Sequence, residues 1–467
     1  MAEKLKKETG DLSIHTENIL PIIKKWLYSD HEIFIRELVS NASDAISKLN
    51  HLSGLGEFKG DAGDSKIKVE VNEKKKTITI SDNGVGLTAD EVKKYINQIA
   101  FSGAEEFLEK YKQDDEKSQI IGHFGLGFYS AYMVADLVEI HSLSYQDGAE
   151  AVHWTCDGST SYSLEASTKK TIGTDIILHV NDENKEFLSH HKIKGLLEKY
   201  CKYYAVPVVM DEEKEVEVEE KGKKKDDKKD DKKKKTKKVI EESQINETAP
   251  IWTKKPNDLK DEDYLNFYRK EFPMKEDPLF WVHINVDFPF NINGILFFPK
   301  LRNDFDVNKS EISLYSNQVF VTDQTQELIP EYLHLLQGVI DSNDIPLNVS
   351  RSYLQSDARV KKISGHITKK VADKLKGLYN TEREQFQKYW DDIHPFIKFG
   401  MLKDDDFMEK VKDIILFKST KDNYFTLAEY KEKFLATNMD KNKKCVVLYT
   451  SDKNQQATYL KAVEEKG

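Results

Sequence analysis

Between Asp211 and Lys238 nearly every residue is Lys, Asp or Glu, with KGKKKDDKKDDKKKKTKK at the centre. A stretch of that composition has almost nothing to bury and stays solvated, so it predicts a disordered tether. A flexible spacer is the plain reading; a docking tract for charged partners is the alternative. Placed at 211–245, the tether leaves a first part at 1–210 and a second at 246–467, each of which must find its own core. A chain of 467 residues is too long for one core, and hydrophobic residues at 39% are enough for both parts to fold.

Several function classes drop out on composition. A net charge of -10 argues against a dedicated nucleic-acid binder. Cys156, Cys201 and Cys445 are far apart and form no metal-ligand spacing, so neither a disulfide framework nor a zinc site is expected from the cysteines. The opening MAEKLKKETGDLSIHTENI lacks the apolar run of a secretory signal, and no stretch of roughly 18 apolar residues could span a membrane. The expectation is a cytoplasmic protein with no membrane partner.

Periodicity places helices at 16–28 and 30–51, the second with Ile33, Leu38, Ala42 and Ala45 at helical spacing. Lys66–Val71 and Thr77–Ser81 alternate as paired strands would, with NEKKK as their turn. Helices follow at Ala89–Ile99 and Glu105–Tyr111, a strand at Ile176–Val180 and a helix at Lys192–Tyr204. The first part is therefore an α/β (α+β) domain. Beyond the tether, Trp281–Phe288, Ile295–Pro299 and Val319–Val321 read as strands. Gln326–Ile340 and the longer Asp357–Trp390 read as helices. A last unit has a helix at Lys410–Ile415, a strand at Cys445–Thr450 and a helix at Asn454–Glu465. The closing AVEEKG carries no terminal cap, which predicts that the chain is part of a longer protein.

Three segments carry chemistry. In EIFIRELVSNASDAISK, Glu37, Asn41, Asp44 and Lys48 recur at steps of four, three and four, on one helix face, with Arg36 and Ser40 beside it. A solvated face is the ordinary meaning of such a row. The same groups also suit a metal–phosphate site, with Asn41 offering an oxygen to Mg²⁺ and Glu37 orienting or deprotonating a water. In TITISDNGVGL, a strand ends at Asp82 and Gly84 and Gly86 follow. A tight turn explains this; so does close backbone approach to a ligand, with Asp82 accepting from an amino group such as that of adenine. In IIGHFGLGFYSAYMVAD, Gly122, Gly125 and Gly127 precede an apolar helical run from Phe128 to Val134. Free amides ahead of a helix favour anions, although the spacing is neither the Walker pattern nor GxGxxG.

Order makes these segments informative. A polar helix face, a strand-end DxGxG, a GxxGxG loop and then Gly173-Thr174 before a strand resemble the ATPase superfamily of gyrases, sensor histidine kinases, mismatch-repair proteins and ninety-kilodalton heat-shock chaperones. FIRELVSNASDAISKL, ISDNGVGLT and IGHFGLGFYSAYMVAD together closely resemble the last of these families. The resemblance continues through IWTKKPNDLKDEDYLNFY, residues 320–333 and GVIDSNDIPLNVSRSYLQ, and so covers almost the whole chain. INQIAFSGAEEFLEKY resembles the lid of the bacterial cytosolic branch; the long charged tether is more typical of eukaryotic members.

The resemblance implies a two-layer α/β sandwich that binds ATP with Mg²⁺, followed by an α/β middle domain, and a slow hydrolysis that drives the remodelling of client proteins. It makes Glu37 the general base, Asn41 the Mg²⁺ ligand and Asp82 the acceptor for the adenine amino group, with Gly86 and Thr174 completing that contact through water. Asp44, Lys48, Leu87, Phe124 and Phe128 line the ATP pocket, and Gly122, Gly125, Leu126 and Gly127 present amides to the phosphates. Residues from about Thr88 to Gly122 form a lid. Arg351 reaches back to the γ-phosphate, with Gln355 beside it, as an arginine finger would. In the lid, Tyr95 and Phe101 stand where an asparagine and a lysine are common. Homodimerisation through a further C-terminal domain, expected to be absent from this chain, co-chaperones, and client contacts on aromatic and apolar surface of the middle domain are also implied; Trp281 and Tyr332 are candidates for that surface, with a place in the buried core as the favoured alternative for Trp281. A DNA-acting relative would need a basic second domain with a catalytic lysine, whereas the segment after residue 245 resembles the chaperone middle domain; a histidine kinase is disfavoured, since no phosphoacceptor-type helix is read ahead of the ATP domain. A nucleotide-gated scaffold without hydrolysis is the remaining alternative.

Overall fold

The computed structural model describes residues 30–61, 63–99, 101–110, 121–122, 125–217, 236–300, 311–347 and 358–465. The helix expected at 16–28, the middle of the tether, Phe124, Arg351 and Gln355 lie outside them. The described residues divide into two units, one running to Pro250 and the other starting at Ile251, with Tyr315–Val321 counted with the first.

In the first unit, helix α1 (Ile33–Gly54) is followed by the hairpin β1 (Ile67–Asn72) and β2 (Thr77–Asp82), paired antiparallel from Ile67↔Asp82 to Asn72↔Thr77 as the alternation predicts. Two short helices come next, α2 (Ala89–Tyr95) and α3 (Gly103–Lys110). Thr88 caps α2 in a reciprocal box with Glu91, which fixes where that helix begins. After a 3-10 turn at Gly127–Met133 come β3 (Ala135–Leu143), β4 (Val152–Cys156), β5 (Tyr162–Ala166) and β6 (Gly173–Val180). Helix α4 (His190–Tyr200) leads to β7 (Val208–Glu217) and β8 (Thr236–Gln244).

These strands make one eight-stranded sheet in the order β5-β4-β3-β6-β2-β1-β7-β8. Only β1 and β7 run parallel. One sheet face buries Val69, Ile80, Val138, Ile140, Trp154 and Leu178 against α1, α4 and the Gly127–Met133 turn. The result is a two-layer α/β sandwich whose layers meet along α1.

The tether expected at 211–245 needs correction at both ends. Residues 211–217 and 236–244 are the arms of an antiparallel ladder running from Val209↔Gln244 to Glu217↔Thr236. The arms start from the buried Val208–Met210, which pairs with β1, and each then satisfies the other's backbone. Composition hid this, because a ladder needs little burial: Ile240 remains exposed.

After α5 (Asp261–Glu271) a five-stranded sheet is formed by β9 (Phe280–Val286), β10 (Ile292–Phe298), β11 (Glu311–Ser316), β12 (Val319–Thr322) and β13 (Gln337–Asp341), in the order β12-β11-β13-β10-β9. The helix expected at 326–340 does not form. Pro330 precedes a single 3-10 turn at Glu331–Leu333, and Gln337–Asp341 is an interior strand buried at every position. The single helix expected at 357–390 is two, α6 (Ala358–Thr381) and α7 (Arg383–Lys403), broken at Glu382 with φ -134 and ψ 51. Beyond them lie α8 (Asp405–Val411), the two-residue strands β14 (Phe417–Lys418) and β15 (Tyr424–Phe425), α9 (Leu427–Phe434) and α10 (Ala457–Glu464). Residues 445–450 form no strand; Cys445 makes one isolated bridge with Met439, and Val446–Tyr449 are exposed. No helix among the described residues is long and apolar enough to cross a membrane.

Candidate functional site

Helix α1 settles which meaning its polar row carries. Glu37 is 4% exposed and Asp44 6%, so this face is not solvated. Burying such groups is costly unless each finds a partner, and each does. Arg36, itself 1% exposed, donates from Nη2 and Nε to Glu37 Oε1 at 2.9 and 3.1 Å. The Arg36 carbonyl accepts from Ser40 Oγ at 2.7 Å and from Tyr204 at 3.3 Å, anchoring this turn of α1 to the segment after α4. The Asp44 carboxylate accepts from the amides of Ile121 and Gly122, both at 2.7 Å.

These contacts carry the glycine segment onto the helix. A Cβ added at Gly122 would lie 3.1 Å from Asp44 Oδ2 and 3.6 Å from Asn41 Oδ1, and one at Gly127 would lie 2.8 Å from Glu37 Oε2. Side chains at 37, 41 and 44 therefore converge on Gly122 and Gly127, and any larger residue at Gly127 would push Glu37 aside. Glu37 keeps Oε2 toward this space while Arg36 holds Oε1. The Asn41 carboxamide makes no hydrogen bond among the described residues, leaving its oxygen available. Beyond Gly125 (φ 61), Leu126 caps the 3-10 turn, whose first bond runs from Tyr129 N to Leu126 O. The amides of Gly127 and Phe128 come ahead of that bond and are free to meet an anion. Phe128 packs against Tyr129, Tyr132 and Trp154 beneath them.

Asp82 stands at the end of β2, opposite Thr174 of β6. Gly84 N–H donates to its Oδ1 at 2.8 Å. Burial pushes its carboxyl up to about 7, against the pull of the Gly84 amide and Lys169. Gly86, with φ 61, admits no side chain: a Cβ there would lie 1.9 Å from the Leu143 carbonyl oxygen. Leu87 follows, and its amide donates to Ser142 Oγ at 2.8 Å. Ser142 also lies 2.9 Å from Thr174 Oγ1. This fully buried serine ties Leu87 and Thr174 together, and no motif signalled it.

Aromatic and cationic contacts join the residues around α2 and α3. Tyr95 and Phe101 stack with centroids 6.0 Å apart and planes within 17°, and Lys94 Nζ lies 5.5 Å from the Phe101 ring. Tyr95 and Phe101 thus form one aromatic pair with Lys94 beside it. Asn97 accepts from Trp154 Nε1 at 3.0 Å. Lys48 sits 5.7 Å from the Phe107 ring, and burial depresses its ammonium below the ordinary lysine value, with Asp44 and Glu91 opposing. In the second unit, Tyr332 is buried against Phe407 and donates to Asp404, so it is a core residue rather than a client contact. Trp281 is half-buried and stacks on Tyr264.

Two family models match. Residues 186–466 match the model described as Hsp90 protein, and residues 28–184 match the histidine kinase-, DNA gyrase B- and HSP90-like ATPase. The chain is 52% identical over 458 residues to the chaperone protein HtpG of Porphyromonas gingivalis, covering 98% of this chain and 64% of that protein. The Bacteroides fragilis chaperone protein HtpG is also 52% identical, over 460 residues, with 98% and 65% covered. The Francisella tularensis subsp. novicida protein of the same name is 35% identical over 476 residues, with 99% and 72% covered. The chain thus spans 64% to 65% of the length of the first two relatives.

Proposed function

Because the chain belongs to the Hsp90 family, we propose that it is the ATP-hydrolysing and client-handling portion of an ATP-dependent molecular chaperone. The observation that carries the nucleotide reading is the convergence of Glu37, Asn41 and Asp44 on Gly122 and Gly127, next to a buried acceptor at Asp82. The amides of Gly127 and Phe128 suit phosphates, whereas that of Gly122, expected to join them, is spent on Asp44; a carboxylate facing this segment suits a water to be activated.

In this reading Asp82 accepts the adenine amino group, Thr174 and Gly86 share that contact, and Ser142 holds Thr174 in place. The uncommitted oxygen of Asn41 faces the glycine segment, a donor that fits Mg²⁺ bound mainly by phosphates and waters. The ion would supply charge neutralisation at the phosphates. Glu37 orients the attacking water and takes its proton on Oε2, while Arg36 fixes the carboxylate through Oε1. Amides at Gly125, Leu126, Gly127 and Phe128 receive the negative charge that accumulates on the transferred phosphoryl group. Arg351 and Gln355 complete the site by analogy with the family. Closure of the lid beginning at Thr88 excludes water.

Coupling of slow hydrolysis to client remodelling, homodimerisation of the full-length protein, co-chaperones and a cytoplasmic setting belong to the same proposal. Titration calorimetry with ADP tests its first step. One nucleotide should bind per chain, and Asp82→Asn should weaken it by about ten- to a hundredfold, as an unpaired buried polar contact costs ~1–3 kcal/mol. Unchanged affinity in that variant would place the adenine elsewhere.

A further inference from the structure

The sheet face turned away from the hydrophobic core of the first unit carries a cluster that nucleotide chemistry does not use. Side chains alternate along a strand, so Glu139 and His141 share one face of β3 while Val138, Ile140 and Ser142 take the other. The register sets His153 of β4 opposite His141, and Glu165 of β5 opposite His153. The two imidazoles stack with centroids 4.1 Å apart and planes within 6°. Glu139 Oε2 lies 2.9 Å from His153 Nε2 and 4.0 Å from His141 Nε2. One donor atom from each of these three residues fits within 4.8 Å of the others.

The far nitrogen of each ring also has a partner. His153 Nδ1 lies 3.0 Å from Glu165 Oε1, and His141 Nδ1 lies 3.0 Å from Ser167 Oγ. In the tautomer whose Nδ1–H donates outward, each ring keeps its Nε2 lone pair on the side of Glu139. Hydrogen bonds of this kind orient the histidine ligands of metal ions and fix their tautomer. Glu139 is steadied on its other oxygen by His179 Nε2 at 2.5 Å. Two lone pairs aimed at a carboxylate repel it unless a proton or a cation lies between them. The neighbouring Lys169 is paired with Asp175 at 2.8 Å, which offsets its positive charge.

We propose that Glu139, His141 and His153 form a site for a divalent transition ion of the Zn²⁺ class, which clips β3 to β4 on the open face of the sheet. Two imidazoles, one carboxylate and a position open to water suit Zn²⁺, whereas Mg²⁺ and Ca²⁺ prefer all-oxygen sets. Ligands of a tetrahedral zinc at ~2.0–2.1 Å stand roughly 3.4 Å apart. The observed 2.9 and 4.0 Å separations bracket that value. Tilting the rings out of parallel, within the broad χ2 range of histidine, brings the lone pairs together.

The test uses the whole chain, stripped with a chelator and dialysed against Zn²⁺ at pH 7.5. The expected result is one tightly held ion per chain, lost in His153→Ala and in His141→Ala, and weakened by up to about tenfold in Glu165→Gln, which touches only the orienting bond. Circular dichroism and ADP binding, both expected unchanged, check that the variants fold. X-ray absorption of the bound zinc should show nitrogen and oxygen neighbours only. Binding that survives both histidine variants, a sulfur neighbour from Cys156, Cys201 or Cys445, or no bound ion would each overturn the proposal.

Discussion

Asp82→Asn should make the protein more stable at pH 8 while it loses nucleotide. The folded carboxyl titrates at about 7 instead of 3.8 because burial disfavours its charge. Each unit of that shift is worth about 1.36 kcal/mol. The sign follows from proton linkage: between the two values the folded state holds a proton that the unfolded state has released. The stabilising contribution is therefore complete below pH 3.8, declines as pH rises, and is lost above pH 7. Over the window from pH 5 to pH 8 the wild type should lose about 2–3 kcal/mol from this group. Asparagine has the same shape, still accepts from the Gly84 amide, and does not titrate. The variant's advantage over wild type should then grow by about 2–3 kcal/mol between pH 5 and pH 8, read from denaturant unfolding of the first unit without nucleotide. An advantage that is equal at the two pH values would refute the buried, proton-holding carboxyl.

Further outcomes follow from the same site. Arg36→Ala leaves the Glu37 carboxylate buried without its partner; unfolding should become about 3–5 kcal/mol easier and hydrolysis should fall, as seen by denaturation and phosphate release. Ser142→Ala strands the Leu87 amide and Thr174 hydroxyl, so ADP affinity should drop several-fold with a stability loss of about 1–3 kcal/mol, checked by calorimetry and thermal unfolding. Phe101→Lys removes the stack on Tyr95, worth about 0.5–1.5 kcal/mol, and should change the rate of lid closure in stopped-flow fluorescence with ADP affinity nearly unchanged.

What could be read in the residues depended on how local the determinants are. The four-three-four spacing on α1 and the glycines at 122, 125 and 127 are local, and the structure brings Glu37, Asn41 and Asp44 to Gly122 and Gly127, while Gly125 lies against the Phe101 backbone and Lys48 against Phe107. The hairpin of β1 and β2 was legible because alternation and a turn suffice to specify it. Ser142 was not legible, since its importance lies in partners 55 and 32 residues away. Gln337–Asp341 has apolar residues that fit either a helix or a buried strand, and only its neighbours β10 and β11 decide. The arms of the tether were hidden by charge, because composition reports burial and says nothing of backbone pairing. The meaning of the polar row also rested on tertiary structure: whether Glu37 meets water or Arg36 depends on what covers α1.

In the proposed mechanism Glu37 activates the water that cleaves ATP while other groups hold the nucleotide. Measuring phosphate release and ATP affinity on one preparation of Glu37→Ala tests it most directly. Hydrolysis should fall by about a hundredfold or more, the scale of a lost general base, with affinity changed by no more than a few-fold. Hydrolysis that persists while ATP still binds would contradict the assignment and leave a nucleotide-gated scaffold as the better account.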